Sequence, residues 1–149
     1  ISACLVGSEM CIRDRYNLPE GIINFIRTHH GRGKAKYFYN SFKNQYPDRE
    51  IDEEIFTYPG PNPFSKETAV LMMADSVEAA SRSLKEHTEE NIRALVDKII
   101  DGQIADGLMR NAPLTFKDVE TIKNVFVEKL KIMYHTRISY PDLKKGKDS

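Results

Sequence analysis

The run Ile92, Leu95, Val96, Ile99 and Ile100 constrains the fold most, because these apolar residues recur at i, i+3, i+4, i+7 and i+8. That spacing sets all five on one stripe of an α-helix and does not fit the two-residue alternation of a strand. Thr88 stands just before the run as a helix N-cap type, so the helix has a start signal as well as a face. One apolar stripe is stable only when buried against other elements, and the chain must supply them.

Four other segments read as helices. Asn17 is the expected N-cap of the first, with Pro19 in its first turn, where a missing N–H is harmless. Ile22 and Ile26 lie one turn apart on its face, and Gly31 is the expected stop. Residues Lys34 to Tyr46 carry Tyr37, Phe38, Phe42 and Tyr46 at helical spacing, and Pro47 ends them. Ser65 is the expected cap of a helix reaching about Leu84, whose first half, Ala69 to Ala74, is almost wholly apolar. Thr115 and Asp118 form a start resembling a capping box for the last helix, with Val119, Ile122, Phe126, Leu130 and Met133 as its stripe. Between the second and third helices lie a short acidic piece, 50–56, and the loop Tyr58-Pro59-Gly60-Pro61-Asn62-Pro63. Three prolines in six positions stiffen this loop, but not at the spacing an SH3 ligand uses. No alternating pattern competes, so the expected fold class is all-α.

A length of 149 residues suits one domain, and 22 basic against 22 acidic side chains leave no excess charge for tracking a nucleic-acid polymer. No apolar stretch is long enough to span a bilayer, and no secretory h-region follows the first residues. The two cysteines, Cys4 and Cys11, carry no structural message. Leu5 to Asp14 back-translates into a transposase-type sequencing adapter, so residues 1–15 are expected to be non-native. An adapter joined to coding sequence implies that the protein continues upstream. The expected division is therefore 1–15 non-native, 16–143 the domain, and 144–149 a polar tail.

Two places could carry chemistry. His29 and His30 close the first helix. They are either ordinary helix-end histidines or ligands for Fe, Mn or Zn, which neutral imidazole binds well. Adjacent helical side chains point about 100° apart, so both reach one ion only where the helix unwinds, and Gly31 makes unwinding easy. Asp75 follows the apolar run in mid-helix, on the face of Leu71, Met72 and Ala79. A buried carboxylate needs a partner, which is either Arg82 in a salt bridge or a cation. Lys66 and Arg82 are candidates to hold a phosphate near Asp75. His87 and His135 read as surface or helix-end residues, and Glu53 and Glu54 as solvated.

The order of these motifs resembles one family. Leu18-Pro19-Glu20, the segment from Phe25 through His29-His30-Gly31, and Lys36-Tyr37-Phe38-Tyr39 come first. The proline loop, Met73-Ala74-Asp75-Ser76-Val77-Glu78, and a close from His135 to Pro141 follow. Together they resemble the cytoplasmic HD domain of bacterial seven-transmembrane receptor HD phosphohydrolases, which hydrolyse cyclic di-AMP. The resemblance implies an HD-domain helical bundle, here truncated at its N-terminus, around two divalent metal ions, Fe or Mn. His29 and His30 match the family's paired histidines and Asp75 its final aspartate, so these three are the expected metal ligands. The His-Asp dyad that names the superfamily is absent from this chain and is expected upstream.

The implied function is metal-dependent hydrolysis of a cyclic dinucleotide, with only part of the active site in this chain. The runner-up is a non-catalytic helical nucleotide-binding or sensor module. The resemblance also implies a parent anchored in the membrane by its upstream region, working at the cytoplasmic face of the bacterial inner membrane, with a homo-oligomer possible.

Overall fold

Ile92, Val96 and Ile100 are completely buried, and the helix that carries them is covered on two sides by other helices. The computed structural model describes residues 17–135. They form α1 (Glu20–Thr28), α2 (Lys36–Gln45), α3 (Lys66–Ser81), α4 (Glu89–Ala105) and α5 (Phe116–His135), with a 3-10 helix at Glu53–Phe56. Helices α3, α4 and α5 pack against one another, and α1 packs on α3. Their shared core is Ala69, Met72, Met73 and Val77 of α3, Ile92, Val96 and Ile100 of α4 with Ile99 partly buried against them, Leu108 and Met109 of the following turn, and Val127 and Leu130 of α5.

The caps explain where the helices begin. Ser65 Oγ accepts from the Thr68 backbone N–H at 3.2 Å, while Thr68 Oγ1 accepts from the Ser65 N–H at 3.1 Å. The same reciprocity joins Thr115 and Asp118, at 2.9 and 3.0 Å, and Thr88 Oγ1 accepts from Asn91 N–H at 3.2 Å. Each pair satisfies N–H groups that the first helical turn leaves without partners. At α1 the expectation fails. Pro19 is the N-cap, in extended geometry, and Asn17 stands outside in a left-handed conformation with φ 47°. Proline already holds the backbone torsion that the entry to α1 needs, so no side-chain cap forms.

Three further differences concern faces and ends. Helix α3 stops at Ser81, three residues short of Leu84, where Ser81 Oγ donates to the Glu78 carbonyl at 2.7 Å. The apolar run of α3 is wider than its buried face, which leaves Leu71 exposed while Ala69, Met72 and Met73 are buried. On α5, Val127 is completely buried although the expected stripe omits it, because Val119, Ile122 and Phe126 lean on the core from the side.

His87 stacks on Tyr134 with ring centroids 3.5 Å apart, and Tyr134 Oη lies 2.8 Å from Ser81 Oγ, tying the α3–α4 connection to the end of α5. His135 is exposed. Among the described residues, extended pairing is limited to one antiparallel bridge between Lys34 and Thr57. The expectations for residues 1–15, for the closing motif beyond His135 and for the tail lie outside the described residues.

Candidate metal centre

Helix α1 ends where its two histidines begin. Thr28 is completely buried and donates from Oγ1 to the Asn24 carbonyl at 2.7 Å. His29 is the C-cap, its N–H still bonded to Phe25 O at 3.1 Å. Gly31 then takes φ +51°, the left-handed region that favours glycine, and the chain reverses. The expected unwinding therefore occurs, and the two imidazole centroids lie 4.0 Å apart, tilted by 43°. His29 Nδ1 lies 2.6 Å from the Ile26 carbonyl oxygen. A carbonyl can only accept, so Nδ1 carries the proton and a neutral His29 presents Nε2 with a free lone pair. That backbone bond is the usual way of orienting a ligating histidine. Partial burial holds the His30 pKa below its ordinary value; the neighbouring His29 lowers it further, and Asp75 works in the opposite direction.

The proline loop lies against this turn. Ala35 N–H donates to Phe56 O at 2.7 Å, Tyr58 N–H to Gly33 O at 3.0 Å, and Arg32 N–H to Asn62 Oδ1 at 2.8 Å. Contact is close enough that a Cβ at Gly31 would sit 2.9 Å from Asn62 Oδ1. Pro63 is completely buried beneath, and Tyr58 stacks on His30 with centroids 4.4 Å apart and planes 15° from parallel. Glu53 and Glu54, expected to be merely solvated, are exposed but paired, with Lys34 and Arg32 respectively.

Asp75 corrects the expectation of a crowded carboxylate. It is exposed, as are Leu71 and Ala79, while Met72, on the adjoining edge of that face of α3, is buried in the core. Arg82 does not pair with it; the guanidinium makes two bonds to Glu78, at 2.9 and 2.8 Å. Lys66 is also engaged elsewhere, 3.0 Å from Asp118, and sits nine residues, or roughly 13 Å of helix rise, before Asp75. The structure thus brings His29 and His30 together and sets Asp75 within electrostatic reach of His30. It does not bring Lys66 to them. Among the described residues, no three His, Cys, Asp or Glu side chains converge closely enough to hold a metal ion. Two imidazoles, one with its tautomer fixed, suit two positions of a transition-metal shell, and the exposed carboxylate of Asp75 suits a position on a neighbouring ion; among the described residues neither shell is complete.

Three curated relatives resemble this chain. It is 41% identical over 130 residues to the cyclic-di-AMP phosphodiesterase PgpH of Bacillus subtilis, covering 87% of this chain and 18% of that protein. It is 38% identical over 126 residues to PgpH of Listeria monocytogenes, covering 85% and 17%. An uncharacterised Synechocystis protein is 35% identical over 139 residues, covering 91% and 17%. The solved HD domain of Listeria PgpH in complex with cyclic-di-AMP superposes with a TM-score of 0.79 at 32% identity, over 87% of this chain and 59% of that one. The chain is homologous to the HD domain of PgpH. It has that domain's helical fold and spans under a fifth of the length of its curated PgpH relatives. A second structure of the PgpH HD domain agrees, at a TM-score of 0.77, and no model of a protein family matches. No helix among the described residues is long and apolar enough to cross a membrane.

Sequence reasoning missed Tyr58 and Asn62. The stiff proline loop was the available signal, because a loop of fixed shape can hold a flat side chain against a neighbour.

Proposed function

We propose that this chain is the C-terminal part of the catalytic domain of a metal-dependent phosphodiesterase acting on a cyclic dinucleotide, cyclic di-AMP in the PgpH homologues. The carrying observation is the imidazole pair at the end of α1, with His29 Nδ1 engaged by a backbone carbonyl and the opposite nitrogen left to bind. In this reading His29 and His30 bind one of two divalent ions, iron or manganese, and Asp75 binds the other. The exposure of Asp75 supports this, because its carboxylate is open to an ion and to further ligands. When bound, such ions supply a positive centre for the phosphodiester and a water acidic enough to attack it near neutral pH. The protein's part is to hold two imidazoles in fixed orientation and to offer the exposed carboxylate of Asp75, with the nearby Arg82 guanidinium bonded to Glu78 instead. The resemblance to seven-transmembrane receptors supports a site of action at the cytoplasmic face of the bacterial inner membrane. Arg82, one turn beyond Glu78, is a weaker candidate for a substrate phosphate, and Lys66 is set aside by its bond to Asp118.

The test is a chimera in which residues 17–135 replace the matching segment of the Listeria PgpH HD domain. It should hydrolyse cyclic-di-AMP, and His29→Ala, His30→Ala and Asp75→Ala should each abolish turnover while helical content is kept. Asp75→Ala should also lower the bound metal. Full turnover with full metal content in all three variants would contradict the ligand assignment, and a folded chimera that binds cyclic-di-AMP without hydrolysing it would favour the non-catalytic module.

A further inference from the structure

We propose that Tyr58 is a positioning residue that fixes the ring plane of His30, with the proline loop acting as the clamp that delivers it. The inference rests on the reading of His30 as a metal ligand only for its consequence; its geometry stands on the loop alone. A histidine one residue beyond a helix C-cap is not held by helical packing; His29 lies against it at 4.0 Å, tilted by 43°, and has its own restraint in the Ile26 carbonyl. For His30 that restraint is the phenol ring of Tyr58, nearly parallel to the imidazole at 4.4 Å. Stacking fixes the plane of a ring without consuming either imidazole nitrogen, which a hydrogen bond would do.

The clamp is fastened at Tyr58 itself and again at Asn62. Tyr58 N–H is bonded to Gly33 O, and four residues later Asn62 Oδ1 accepts the Arg32 N–H, so the loop grips the backbone of the turn that follows His30. Two glycines permit the approach. Gly31 at φ +51° faces Asn62 Oδ1, and Gly60 at φ +77° faces Arg32 Cγ, where any Cβ would come within 2.9 and 2.8 Å respectively. Pro63 is completely buried at the end of the loop. The stack is therefore a consequence of how the two segments are tied, and the tyrosine hydroxyl has no part in it.

The experiment uses the full chain with Tyr58→Leu and Tyr58→Phe, reading the metal-free imidazole of His30 by NMR relaxation and Mn²⁺ affinity by titration with the metal alone. Tyr58→Leu should free the His30 ring and weaken Mn²⁺ binding about 10-fold, the low end of what outer-shell partners of ligating residues contribute. Tyr58→Phe should keep both at wild-type values, and the thermal midpoints should show that each variant is folded. An equally ordered His30 ring in Tyr58→Leu, or loss of order in Tyr58→Phe, would overturn the proposal. His30→Ala separates the two claims: undiminished Mn²⁺ affinity there contradicts the ligand assignment, while the metal-free ring measurement still decides for or against the clamp.

Discussion

The core of α3, α4 and α5 and the histidine end of α1 are held together by different means. In the core, apolar side chains on three helices exclude water, and Ile92, Val96, Ile100, Met73 and Val127 have no exposed surface. At the histidine end Ile23 and Pro63 are buried, but the two imidazoles themselves are only half-buried. Two glycines with positive φ, backbone bonds between residues 32–35 and 56–62, and one aromatic stack set the geometry there. The core is therefore sensitive to side-chain volume, and the site to backbone conformation.

The sharpest way to break this contrast is to exchange the damage. Ile100→Ala removes a fully buried side chain and should cost about 2–5 kcal/mol, lowering the thermal midpoint by roughly 10 °C or more. His29→Ala, on a half-buried side chain with one backbone bond, should stay within about 1 kcal/mol, as read by denaturant unfolding. Equal losses in the two variants would erase the distinction between the regions. Gly31→Ala lies between them. A Cβ there is forced into the left-handed region and against Asn62 Oδ1, so about 1–3 kcal/mol is expected, with the loop and turn separating first in hydrogen exchange.

These two kinds of order were unequally legible. The α4 stripe was readable because period 3.6 is a property of the sequence, and the caps at Ser65, Thr88 and Thr115 were readable because their side-chain oxygens act on nearby backbone. Asn17 misled because a good capping residue competes with a proline two positions on, and proline sets the torsion. The adjacency of His29 and His30 followed from Gly31, but the exposure of Asp75 did not. An apolar run before a carboxylate looks the same whether the far face of the helix is covered or open. The stack of Tyr58 on His30 depends on a contact between segments 28 residues apart, which no local pattern reports.

Smaller effects test the caps that hold the core helices in place. Thr115→Ala should cost about 1 kcal/mol, visible as a lower urea midpoint with an unchanged slope. Asp118 gives a pH signature. The Thr115 backbone N–H, and then Lys66 and the Thr115 hydroxyl, hold its carboxyl down at about 2. A depressed pKa stabilises the fold above the ordinary aspartate value, and that contribution disappears as pH falls through about 2. Asp118→Asn should therefore lower the midpoint at neutral pH and flatten the decline in stability between about pH 4 and pH 2, measured by thermal melts across that range.

The central claim is that the paired histidines of α1 are the metal-binding part of this chain, and Mn²⁺ titration followed by electron paramagnetic resonance tests it most directly. The wild-type chain should bind Mn²⁺ weakly but saturably, since no three candidate ligands converge among the described residues, and His29→Ala and His30→Ala should each abolish the saturable phase without changing helical content. A saturable phase of the same affinity in both variants would contradict the account.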